Sequence, residues 1–168
     1  MIEQKFGKII PLQADVTDNE SIAATAAKIE AEQGYINLLI NNAGIMVNFL
    51  PRQLPKNIKD LQSALWNAGT TEEFDNTFKI NVRAPYYTTV AFLHLLHEGN
   101  QRTASRGLTS QVITISSLAG FRRDSEPTSV SYFTSKAAAT HLGKLLTSVL
   151  RDHDIRSNVI CPGIFPTG

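Results

Sequence analysis

The stretch "INLLINNAG", residues 36 to 44, decides how the rest of the chain is read. A short apolar run, too brief for an ordinary helix, breaks off into Asn, Asn, Ala and Gly. Runs of this kind, bounded by turn residues, are typical of strands buried on both faces in a parallel sheet. Moving outward, "SQVITISSLAG" (110–120) repeats the pattern with β-branched residues, and "RSNVICPG" (156–163) gives a last strand. "KIIPLQADV" (8–16) also reads as a strand, with Pro11 pointing to an edge position or a late start. Helical segments lie between these runs. The first is "DNESIAATAAKIEAEQG", with Asp18 as N-cap and Gly34 as its stop. Thr70 and Glu73 make a capping box ahead of the long helix "FDNTFKINVRAPYYTTVAFLHLLHEG", which Pro85 should kink. Residues 48–70, with two prolines, read as a loop holding one short helix near "NIKDLQSALW". A further helix is expected from about 130 to 152. Strands alternating with helices predict a parallel sheet with helices on both faces.

The composition sets the class. At 168 residues, 42% hydrophobic and 18% charged, the chain is an ordinary globular domain, read as a single unit over 1–168. A net charge of +1 gives no electrostatic case for nucleic acid or for an anionic membrane surface. No apolar stretch is long enough to span a bilayer, and the N-terminus lacks the layout of a signal peptide. The single cysteine, Cys161, cannot form an internal disulfide, which agrees with a reducing compartment; a cytoplasmic location is expected. His94 and His97 stand at i, i+3, but without a carboxylate or thiolate companion they read as residues suited to a helix C-terminus, and no metal site is expected.

In open parallel sheets ligands gather beyond the carboxyl ends of the strands. Those positions hold Asp15, Asn42, Ala43 and Gly44, Ser116 and Ser117, and Pro162 with Gly163. Small polar residues and glycines form the kind of rim that admits a ligand. Beside it, "SYFTSK" (131–136) sets Tyr132 and Lys136 four apart. With four Tyr and eight Lys in the chain that spacing arises by chance about one time in five, so its neighbours must decide its meaning.

Taken together, "ADVTD" (14–18), "NNAG" (41–44), "INVRAPY" (80–86), "ITISSLAG" (113–120), "SYFTSK" and "NVICPGIFPT" (158–167) resemble the short-chain dehydrogenase/reductase family in order and in spacing. The resemblance implies an α/β fold, a Rossmann-type doubly wound parallel sheet, and an oxidoreductase that moves hydride between NADP or NAD and a small-molecule carbonyl or secondary alcohol. It also implies site roles. Tyr132 is the acid/base, Lys136 its partner, Ser117 the holder of the substrate oxygen, and Asn81 the fourth member, on a local helix distortion that holds a proton-relaying water. Asp15 and Val16 lie by the adenine, Asn42, Ala43 and Gly44 line the cofactor cleft, and Pro162, Gly163, Ile164 and Thr167 meet the nicotinamide end, with Tyr132 and Lys136. Ser117 is preferred to Ser116 because it directly precedes Leu-Ala-Gly, and Ser116, one residue earlier on a strand, points to the other face. A homo-oligomer through the helices carrying Asn81 and Tyr132 is implied as well. The tail "CPGIFPT" is similar to 3-oxoacyl-carrier-protein reductases and to reductases of rhamnolipid synthesis.

The chemistry of these side chains agrees. A free tyrosine titrates near 10 and is a poor base at neutral pH. A lysine at i+4 shares its helical face and favours the phenolate. A serine hydroxyl aimed at the carbonyl oxygen stabilises the charge that develops as hydride arrives.

The sequence also departs from the family pattern. No G-x-x-x-G-x-G occurs, so the sheet is expected to be incomplete, without the family's first two strands and its last. The chain alone is then expected to bind cofactor weakly or not at all and to be inactive, and a non-catalytic chain that keeps only its pairing helices is the alternative. Residues 48–70 and the loop "FRRDSEPT" (121–128) are longer than the family pattern, and the charges of that loop point weakly to a polar or acidic ligand.

Overall fold

A computed structural model describes residues 7–123 and 128–164. In chain order the elements are α1 (Asn19–Gln33), β1 (Leu38–Asn41), α2 (Ile58–Trp66), α3 (Thr71–Phe78), a π-helical turn (Lys79–Arg83), α4 (Ala84–Ala91), α5 (Leu93–Thr103), β2 (Gln111–Ile115), α6 (Val130–Leu150) and β3 (Arg156–Ile160). The strands are parallel, in the order β1-β2-β3. Val112 is paired with Leu39 on one side and Ser157 on the other, and Thr114 likewise with Asn41 and Val159.

The caps follow local chemistry. Asp18 accepts from the backbone N–H groups of Glu20 and Ser21, and Gly34 closes α1. Asn57 caps α2, and the Thr70–Glu73 capping box starts α3. The long helix expected after it is divided. Pro85 has no N–H to give the carbonyl of Asn81, four residues back. The turn before it widens, and the N–H of Ala84 reaches Lys79 instead. A second break falls at Phe92, between α4 and α5.

The core has two joined parts. Leu96, Val112, Leu146, Leu150 and Ile155 pack between α5, α6 and the sheet. Ile22, Ala26, Phe92 and Leu95 pack α1 against the α4–α5 segment, and Ile36 and Leu39 touch both groups.

Two expectations need correction. The segment 8–16 forms no strand: among the described residues it has no ladder partner, Pro11 offers no N–H, and Ile9 and Ile10 are 71% and 47% exposed. The helices also do not cover both faces. Leu39, Asn41, Val112, Thr114, Ser157 and Val159 face them, whereas Leu38 and Ile40 on β1 and Ile160 on β3 remain about half exposed. These residues hold one wound layer of a parallel α/β sheet, so "INLLI" is buried on one face rather than two.

Candidate active site

Each strand delivers one loop to the same end of the sheet. Asn41 ends β1 buried, its Nδ2 donating to Thr89 Oγ1 at 3.0 Å, which ties the strand end to α4. Asn42, Ala43 and Gly44 follow it into solvent. Asn81, 1% exposed in the π-helical turn, grips the next residue on both sides. Its Oδ1 accepts from the N–H of Ile45, and its Nδ2 donates to the carbonyl of Ile45 and to Ser135 Oγ, all at 2.9 Å. Ser135 donates onward to the carbonyl of Tyr132 at 2.8 Å. The buried Asn81 amide therefore clamps the loop to α6.

Lys136 lies one helical turn beyond Tyr132 on α6 and is 4% exposed. Its Nζ donates to the carbonyl of Ile115 at 2.9 Å, at the end of β2, and lies 5.7 Å from the centre of the Tyr132 ring. Burial pushes its ammonium below the ordinary lysine value, and the neighbouring Cys161 offsets part of that shift. A Cβ on Gly44 would stand 3.3 Å from both Asn81 Oδ1 and Lys136 Nζ. Glycine lets the loop lie against these two groups; any side chain would push them away.

Ser116 and Ser117 separate as expected. Ser116 is buried, with its Oγ 2.7 Å from both the Lys136 carbonyl and Thr140 Oγ1, and moors α6 to the strand end. Ser117 turns the other way, into a cleft of about 400 Å³ that it shares with Tyr132, Met46, Phe133, Pro162 and Gly163. Its Oγ accepts from the N–H of Ala119 at 3.1 Å, which leaves the hydroxyl hydrogen able to donate. The carbonyl of Pro162 accepts from the N–H of Leu118 at 3.0 Å, fixing the third loop against the second. Cys161, half-buried, stands 3.9 Å from Thr140 Oγ1.

The remaining candidates line the rim. Val16, Asn42 and Ala43 meet Pro85 around a small cavity of about 90 Å³. Asp15 is exposed, and its carboxylate is held below its ordinary value chiefly by the N–H of Thr17, which donates to it at 2.8 Å. Arg83 donates to the Thr17 carbonyl at 2.8 Å, docking this loop on the π-helical turn. Ile164 is 97% exposed at the mouth of the cleft. Thr167 lies outside the described residues. His94 stands 3.5 Å from Glu30 in an exposed pair, and it lies in the first turn of α5 rather than at the helix C-terminus expected from the sequence, because the break at Phe92 starts a new helix there. Sequence reasoning missed Ser135, Ser129 and Met46. Of these, Ser129 alone carried a signal, as a Ser just ahead of a helical run.

The sequence and the fold have known relatives. Residues 1–168 match the short chain dehydrogenase family. The chain is 36% identical over 177 aligned positions to the short-chain dehydrogenase/reductase SAT3 of Stachybotrys chartarum, covering 96% of this chain and 64% of that one. A xylitol dehydrogenase solved with NAD+ bound superposes with a TM-score of 0.72 at 25% identity, over 92% of this chain and 50% of its own. The active-site complex of Pseudomonas aeruginosa RhlG with NADP gives 0.71 at 25% identity, over 92% and 53%. The chain belongs to the short-chain dehydrogenase family, and it spans between half and two thirds of the length of these relatives. Among the described residues no helix is long and apolar enough to cross a membrane.

Proposed function

We propose that the protein is an oxidoreductase acting between a nicotinamide cofactor, NADP or NAD, and a carbonyl or secondary alcohol. One observation carries this reading: Ser117 and Tyr132 share a cleft, Lys136 Nζ lies 5.7 Å from the centre of the Tyr132 ring, and Asn81 Oδ1 and Lys136 Nζ flank Gly44. The residues suit the nicotinamide end of such a cofactor. Pro162 and Gly163 bound the cleft, Lys136 can donate to a ribose hydroxyl, and Val16, Asn42 and Ala43 continue the rim toward the adenine. When bound, the cofactor supplies or accepts the hydride. In the reducing direction Ser117 donates a hydrogen bond to the carbonyl oxygen, and Tyr132 gives that oxygen its proton. Lys136 keeps a buried positive charge near the phenol, favouring the phenolate that remains. Asn81, through Ile45 and Ser135, fixes the loop and the helix turn that hold these groups in register.

The test follows oxidation of NADPH and of NADH, at millimolar concentration, with ketone substrates. Tyr132→Phe and Ser117→Ala should lower the rate by about 10²–10⁴-fold. Equal rates in wild type and variants would reject the assignment. The narrower reading, reduction of a 3-oxoacyl group, rests on the "CPGIFPT" tail alone.

A homo-oligomer through the helices carrying Asn81 and Tyr132 is part of the same proposal. Tyr86 and Val90 on α4, and Leu145 and Val149 on α6, form i, i+4 pairs that are 43–66% exposed. Val149→Glu should lower the mass measured by sedimentation; an unchanged mass would count against this interface. It would also remove the support for the alternative, a non-catalytic chain that acts only by pairing.

A further inference from the structure

We propose that the cleft beside Tyr132 selects a neutral ketone carried on an apolar body, and that Met46, Leu118 and Phe133 set this preference. The proposal rests on the oxidoreductase reading above and deepens it. Apart from the hydroxyls of Ser117 and Tyr132, the walls are largely hydrocarbon: Met46, Leu118, Ala119, Phe133 and Ile164. Met46 is 40% and Leu118 51% exposed, so both present apolar surface where a ligand would enter. Exposed apolar surface around a concave site marks a ligand with matching surface.

Arg122 also lines the cleft, with its guanidinium over the Phe133 ring, 5.7 Å from the ring centre, where the ring face helps to orient it. The weak sequence expectation of a polar or acidic ligand rests on the charges of residues 121–128, of which 124–127 lie outside the described residues. A volume of about 400 Å³ falls near the low end of the range of about 300–1,000 Å³ for small-molecule sites.

The chain offers a direct reporter, because it has two methionines and one of them, Met46, lines the cleft. With 13C-methyl-methionine labelling, the Met46 resonance can be followed without cofactor or turnover. 2-Tetralone should shift it saturably, and the same bicyclic ketone carrying a carboxylate should need at least tenfold more ligand. Leu118→Lys, at a half-exposed position, should reverse that order. The proposal is overturned if the carboxylate analogue binds the wild-type chain as tightly as tetralone or more so. It is equally overturned if neither ligand shifts the Met46 methyl. Because this readout is binding alone, its failure leaves the hydride-transfer reading standing. Loss of turnover with binding intact would reject hydride transfer instead.

Discussion

At the residue scale, Lys136 bears the clearest physical tension in the site. An ammonium 4% exposed, with the Ile115 carbonyl as its hydrogen-bond acceptor, loses much of its hydration. Its value is depressed on folding, so the unfolded chain binds that proton more tightly. Stability therefore rises with pH between the lowered folded value and the ordinary 10.5 of lysine, and the penalty is fully present below that window. The expected outcome in urea unfolding is that wild type gains stability relative to Lys136→Met as pH is raised from neutrality toward 10. A pH-independent difference between the two would mean that Lys136 carries no such penalty. A structure that retains a costly buried charge beside Tyr132 is better explained by chemistry than by packing.

At the element scale, α6 is the part on which the site depends, because it carries Tyr132, Ser135 and Lys136 on one continuous helix. Its first turn is held by Ser129, whose hydroxyl accepts from the N–H of Tyr132 at 3.2 Å and donates to the carbonyl of Val47. Ser129→Ala should cost about 1–2 kcal/mol in urea unfolding. It should also speed hydrogen exchange at the first-turn amides; unchanged exchange there would show that the cap is not what orders Tyr132. This helix was largely legible in the sequence, but its cap was not singled out. Thr128, Ser129 and Ser131 are all chemically able to cap, and only the fold chooses among them. Asp18, Gly34 and the Thr70–Glu73 box were legible because they depend on neighbours within five residues. The π-helical turn was legible only as a kink. Its position depends on Pro85 together with the grip of Asn81 on Ile45, a contact across 36 residues. The clamp through Ser135 was hidden for the same reason, since it joins residues 54 apart.

At the scale of the whole molecule, the parallel sheet and the α/β class were readable because alternating apolar runs and helices leave few topologies. Which faces those helices cover was not readable. Leu38 and Ile40 are as apolar as Leu39, and sequence alone does not say which of them meets a helix. Nor could the segment 8–16 be judged alone, since a strand exists only with a neighbour to pair with. At one end of the sheet three strand ends and α6 converge. The central claim is that this convergence transfers hydride with Tyr132 as the proton donor. It is tested most directly by incubating the chain with 2-tetralone and a nicotinamide cofactor deuterated at the transferring position, then measuring the alcohol product by mass spectrometry. The account predicts one deuterium in the alcohol formed by wild type and about 10²–10⁴-fold less product with Tyr132→Phe. Alcohol without deuterium, equal yields from the two proteins, or no alcohol from wild type would contradict it.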